Sequence, residues 1–269
     1  MASVTPAMVI AVVAVFLAVA MSFAWWLATR SGQSGYIDTV WSFATGFAAM
    51  GAALAPFDGA TQTRARVVAG LLALWALRLG LHILARTRQG GDDPRYAALK
   101  REWGAQADLR LFLFLQIQAG AGLVLALCAM AAAHNPLPFG GFGDVLGIAV
   151  ALVALAGEGV ADRQLARFRA DPANRGRICD AGLWGYSRHP NYFFEWLGWL
   201  AYPLIAIDLS GSYPWGWVAL AGPAMMYWLL VYASGIPPTE AHMLRSRGEA
   251  FCAYQRRVNA FWPSPPKAL

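Results

Sequence analysis

Apolar residues run along this chain in blocks, broken by short polar stretches. Seven blocks stand out, at residues 8–28, 38–57, 65–84, 111–133, 143–161, 192–209 and 214–234. A helix of about 20 apolar residues crosses the hydrocarbon core of a bilayer, and it satisfies its own backbone hydrogen bonds there. The pattern therefore predicts an all-α, polytopic integral membrane protein with about seven transmembrane helices, folded as a single transmembrane domain over residues 1–269. The sixth block is the shortest. The first has no basic residue before it and is too long for the apolar part of a signal peptide, so it is expected to remain as an anchored helix. The Gly- and Pro-rich piece 134–143 predicts a short loop, and the Pro263-Ser264-Pro265-Pro266 run a stiff, exposed terminus.

The basic residues orient these spans. Seven crossings place 29–37, 85–110, 162–191 and the tail 235–269 on one side. Those segments hold all of the 21 Lys and Arg residues except Arg64, Arg66 and Arg78. By the positive-inside rule that side is cytoplasmic, and the N-terminus lies outside. Composition agrees. The 269 residues are 58% hydrophobic and 13% charged, against about 25% charged in soluble domains. The net charge of +6 then reflects cytoplasmic loops and any anionic ligand they hold, not nucleic acid. Cys128, Cys179 and Cys252 are far apart, with no zinc-type spacing and no disulfide framework, and no metal site is expected.

Ionisable residues in or beside apolar spans are costly to place and point to function. Asp38 opens the second span, with Trp41 one turn on. Arg78 and His82, Glu158 and Asp162, and Asn191 and Glu195 each stand four apart, so each pair shares a helix face. The densest stretch runs from Asp162 to Glu195. Many guanidinium groups lie in one segment, and Arg suits bidentate phosphate recognition. Pro190 fits the first turn of a helix whose free N–H groups also favour an anion. An arginine-rich segment feeding a helix start is a phosphate site in outline; the plainer reading is a loop that obeys the positive-inside rule or meets anionic lipid head groups. There is no Gly-rich phosphate loop of the Rossmann or Walker kind, no Ser-His-Asp arrangement and no zinc-protease motif.

At G-L-W-G-Y-S-R-H-P-N-Y-F-F-E-W (residues 182–196) the chain resembles the membrane steroid 5α-reductase family, in its bacterial DUF1295 branch. Y-I-D-T-V-W (36–41), W-A-L-R-L with D-D-P-R-Y (75–96), and the stretch from Glu240 to Pro263 agree with it. The resemblance implies a seven-helix oxidoreductase of the bacterial inner membrane that uses NADPH to reduce the carbon–carbon double bond of a 3-oxo-Δ4 steroid or a similar lipophilic enone. The substrate would enter from the bilayer, the protein would meet membrane lipids and no nucleic acid, and it is taken to act as a monomer. Carried over by position, Asp162, Arg169 and Arg177 would hold the adenosine and phosphate part. Asn191 and Glu195 would hold the nicotinamide carboxamide, since an amide and a carboxylate offer the donor and acceptors that group needs. Tyr186, Arg188 and His189 would line the pyrophosphate, with His242 and Tyr254 on the lid side.

At the substrate end, Asp38 is the candidate catalytic donor beside Glu195. A carboxyl in an apolar pocket stays protonated and can stabilise a developing enolate. Tyr36, Asp38 and Trp41 would contact the substrate. Where the animal enzymes carry a Gln-Glu pair on the second helix this chain has Ile37-Asp38, and residues 65–84 hold no Tyr in place of the family's third-helix Tyr. Two other functions fit the same sequence. A membrane methyltransferase of the isoprenylcysteine type, using S-adenosylmethionine, carries a similar R-H-P-x-Y turn, but its cationic donor does not call for several arginines. A non-catalytic lipid-binding protein would use the basic loops for head groups alone.

Overall fold

The computed structural model describes residues 4–57, 62–89 and 92–267, and among them there is no β-strand. The loop 85–110 and the tail 235–269 include a few residues outside that range. The helices are α1 (Pro6–Ser31), α2 (Gly35–Ala53), α3 (Gln62–Arg88), α4 (Pro94–Trp103), α5 (Ala107–Ala133), α6 (Phe142–Ala170), α7 (Pro190–Ala206), α8 (Ala221–Trp228), α9 (Ile236–Arg247) and α10 (Glu249–Arg257). Local chemistry sets their ends. The Thr5 hydroxyl accepts from Met8 N ahead of Pro6, and Gly32, at φ 69°, closes α1. Asp93 caps α4 ahead of Pro94.

Among the described residues, five stretches are long and apolar enough to cross a membrane: Pro6–Ser31, Gln62–Arg88, Pro94–Ala133, Phe142–Ala170 and Pro214–Arg247. They coincide with five of the seven expected spans. The other two spans correspond to α2, of 19 residues, and α7, of 17 residues with Pro203 inside it. Helices also outrun the apolar blocks that announce them. α6 continues from the expected end at 161 through Asp162, Arg163, Arg167 and Arg169, and stops where Asp171 and Pro172 begin a new turn. Its backbone ends on a helix breaker, not on a change of polarity. Likewise α4 forms inside the segment 85–110.

The chain folds as two compact units. The first comprises Met1–Ile148 and Ala201–Gly222, the second Ala149–Leu200 and Pro223–Leu269. In the first, α2 packs against α1, α3 and α5. Its buried residues are Gly, Ala, Ser and Thr, apart from Ile37. Small residues let backbones approach closely. At Gly46 an added Cβ would lie 2.3 Å from the Cβ of Ala76 on α3. A helix enclosed by neighbours needs small side chains more than greasy ones, and this lowers its hydropathy.

A buried ion pair ties the far end of this unit. Arg64, on α3, is 2% exposed. It meets Asp144 of α6 through Nε–Oδ1 and Nη2–Oδ2, both at 2.8 Å. Its remaining N–H groups donate to the carbonyls of Asn135, Leu137 and Pro138. Gly140 N donates to Asp144 Oδ2, and Asn135 Nδ2 to Ile205 O. The loop expected at 134–143 is thus pinned through its backbone by one guanidinium. Arg64→Ala is expected to lower the stability of the detergent-solubilised protein by about 3 kcal/mol or more, because Asp144 would be left buried and uncompensated. Chemical denaturation reads this directly, and an unchanged midpoint would assign the pair no structural role.

Candidate functional site

The second unit assembles its polar residues by folding a long connection back along α6. Asn174 Nδ2 donates to Phe168 O (3.1 Å), Leu183 N to Gln164 Oε1 (3.0 Å) and Trp184 Nε1 to Ala161 O (2.9 Å). Those anchors climb α6 at roughly one-turn steps. The chain is thereby delivered to the start of α7 beside Asp162. The two helices then pack tightly: a Cβ on Gly157 would meet the Phe194 ring at 2.4 Å.

This brings together three of the expected cofactor residues. Asn191 Nδ2 reaches Asp162 Oδ1 at 3.5 Å. Glu195, one turn along α7, is buried, and its Oε1 accepts from Trp199 Nε1 at 2.9 Å. Asn191 Oδ1 is buried and accepts no hydrogen bond. Native proteins rarely leave a buried acceptor unsatisfied, so such an oxygen marks a place where a ligand N–H fits. An unpartnered amide oxygen and a carboxylate on the same face are both acceptors, and they suit the NH2 end of a carboxamide, while the Asn191 NH2 that was expected to donate is turned to Asp162. Arg169 and Arg177 are exposed, as are Tyr186, at 50%, and His242.

Arg188, His189 and Tyr254 are engaged differently from expectation. Arg188 Nε and Nη2 meet Glu240 Oε1 and Oε2 at 2.8 and 3.1 Å, and Nη1 donates to the carbonyls of Gln255 and Val258. The buried His189 ring contacts Glu240 Oε1 through Nε2 at 3.1 Å and stacks on Tyr192. The Tyr254 hydroxyl donates to Trp184 O at 2.6 Å. A half-buried Glu240 needs donors, and a guanidinium fork supplies two at once. The stretch that holds Glu240 and Gln255 is legible as a motif, but not its pairing with Arg188, which lies 52 and 67 residues upstream of them.

In the first unit Asp38 does not sit in an apolar pocket. Its carboxylate is paired with Arg95 and accepts from the Tyr96 hydroxyl at 2.7 Å. Gln118 Nε2 donates to that hydroxyl at 3.0 Å, while Gln118 Oε1 is buried without a partner. Trp41 Nε1 donates to Gln118 O at 3.0 Å. Tyr36 is half-buried in the first turn of α2. Tyr96 is 3% exposed, and sequence reasoning passed over it. The available signal was the Asp93-Pro94 helix start, which places Arg95 and Tyr96 in the first turn of α4. Asp93 is held below the usual carboxylate range: burial pushes it up, but the Arg95 hydrogen bonds and charge outweigh that.

Burial holds the His189 imidazole below its ordinary value of 6.5, and the Glu240 carboxylate only partly offsets this. The ring is therefore neutral at pH 7, with Nε2–H donating to Glu240. Stability from the neutral ring is complete above pH 6.5 and is lost as pH falls through the depressed folded value. The thermal midpoint is expected to fall as pH drops below 6.5 and through the depressed folded value. His189→Gln, which keeps a donor without titrating, should flatten that drop. An identical pH profile in the variant would place the sensitivity elsewhere.

A family model described as a protein of unknown function, DUF1295, matches residues 24–258. No curated protein and no solved structure matches the chain. The matched region takes in the α6–α7 face, the Asp38–Tyr96 pair and most of the tail, and the chain belongs to the DUF1295 family.

Proposed function

We propose that this chain is an integral membrane reductase that uses NADPH to saturate the carbon–carbon double bond of a lipophilic enone, a 3-oxo-Δ4 steroid or a comparably flat isoprenoid ketone. The observation that carries this reading is the α7 face, where the orphan oxygen of Asn191 and the buried carboxylate of Glu195 lie one turn apart beside Asp162. α6 and the connection that follows it carry Arg163, Arg167, Arg169, Arg175 and Arg177. The resemblance of residues 182–196 to steroid 5α-reductases points the same way. NADPH, when bound, supplies the hydride. Asn191 and Glu195 bind and orient its carboxamide, Asp162 holds Asn191, and Arg169 and Arg177 neutralise phosphate charge.

At the substrate, a hydrogen-bond donor must meet the carbonyl oxygen where charge develops. Within the first unit the candidate donor is Tyr96, held by Asp38, in place of Asp38 alone. Its hydroxyl now donates to Asp38 Oδ1 and accepts from Gln118, so it has to turn its proton from Asp38 to the substrate, and Arg95 compensates the carboxylate left behind. Water supplies the proton that completes the α-carbon.

The reading includes seven crossings of the bacterial inner membrane, with the N-terminus outside and the arginine-rich segments in the cytoplasm. α2 and α7 supply the remaining two, with lengths of about 28 and 26 Å against a core of about 30 Å. An apolar substrate then reaches the protein from the bilayer.

Purified protein is expected to be stabilised by NADPH in a thermal-shift assay and to oxidise it with a panel of steroid and isoprenoid enones, the product gaining two hydrogens by mass. Asn191→Leu should weaken NADPH about tenfold or more, and Glu195→Ala should abolish turnover. Stabilisation by S-adenosylhomocysteine without NADPH binding, or a normal rate in Glu195→Ala, overturns the proposal.

A further inference from the structure

The C-terminal segment lies hydrogen-bonded along the turn that opens α7. Arg188 N donates to Asn259 O at 2.9 Å, and Ser264 N donates to Tyr186 O at 3.0 Å. The Ser187 hydroxyl, fully buried, donates toward Phe261 O at 3.0 Å and Ala260 O at 3.2 Å, and accepts from His189 N at 3.1 Å. Phe261 is 3% exposed among Phe193, Trp196 and Tyr227. All three Arg188 side-chain nitrogens donate within the protein, to Glu240 on α9 and to backbone carbonyls at 255 and 258. Gln255 Nε2 donates to the same Glu240 at 2.7 Å. The pair is close to closed from water, Arg188 at 10% and Glu240 at 12% side-chain exposure.

We propose that Arg188 is a positioning residue and not a phosphate ligand: with Glu240 it latches the C-terminal segment onto the Tyr186–His189 turn, and so sets how α7 presents Asn191 and Glu195. The guanidinium fork serves two chain segments at once. It neutralises Glu240 on one side and gathers the last carbonyls of α10 on the other. The segment leading into the Pro263–Pro266 run, which the sequence marks as stiff and exposed, is thereby part of the wall that holds the start of α7. The consequence for cofactor affinity rests on the NADPH reading; the latch itself does not.

The test uses full-length protein in detergent, with Arg188→Ala, Glu240→Ala and the double variant. Hydrogen exchange of amides 259–264, read by mass spectrometry without ligand, reports the latch. NADPH affinity is measured in parallel. Both single variants are expected to speed that exchange about tenfold, and the double no more than the worse single, because one interaction is being removed twice. NADPH affinity should fall alike in the two single variants. Arg188→Lys, which lacks the fork, should behave like Arg188→Ala, whereas a phosphate contact would survive it in large part. Where an alanine variant fails to purify, Glu240→Gln replaces it and is expected to speed exchange by a smaller factor.

Unchanged exchange in Arg188→Ala, with NADPH weakened by that variant alone and not by Glu240→Ala, overturns the proposal and returns Arg188 to the phosphate. If wild-type protein binds no NADPH, the cofactor reading fails, and the exchange rates alone then decide the latch: coupled acceleration upholds it, independent or absent acceleration sinks it.

Discussion

A bundle of long apolar helices offers no water to a buried polar group, so each such group must be satisfied by the chain itself. Two arginines meet this constraint in the same way. Arg64 in the first unit and Arg188 in the second each grip a carboxylate through the guanidinium fork, and each spends its remaining N–H groups on backbone carbonyls of an irregular segment. Both are charges used as loop anchors. The residues 134–141 and 258–264 contain few backbone hydrogen bonds of their own, and the guanidinium supplies part of what helical geometry would otherwise supply.

Close packing within each unit follows a related rule. Between apolar helices in an apolar surrounding, shape decides more than greasiness. Gly46 against Ala76, and Gly157 against Phe194, are contacts that any side chain would prevent. The helix α2 buries Gly, Ala, Ser and Thr apart from Ile37, while α1, with its outward row of Val12, Val15, Val19 and Phe23, carries the greasier surface.

Among the described residues, two amide side chains keep a buried oxygen that accepts no hydrogen bond. Asn191 Oδ1 lies in the second unit next to Asp162, and Gln118 Oε1 in the first next to Tyr96. Each amide already uses its NH2 group on a neighbour that belongs to the proposed chemistry. Each keeps an acceptor in reserve. On the reductase reading, the first serves the cofactor's carboxamide, and the second adjusts to a Tyr96 hydroxyl that must change partners.

From its residues alone this chain could be known as helical, apolar enough for a membrane and charged on one set of segments, because water avoidance and helix period act locally and leave a visible pattern. Pro190 as a helix start and the shared face of Asn191 and Glu195 were legible for the same reason, being matters of a few adjacent residues. The helix ends at Arg88 and Ala170 were not, since polarity changes before the backbone breaks. Nor could the partners of the charges be read: that Asp38 would meet Arg95 and Tyr96, Arg64 meet Asp144, and Arg188 meet Glu240 depended on which segments the fold lays side by side. Fork geometry and desolvation act through space, over tens of residues of chain, and sequence order carries no record of that distance.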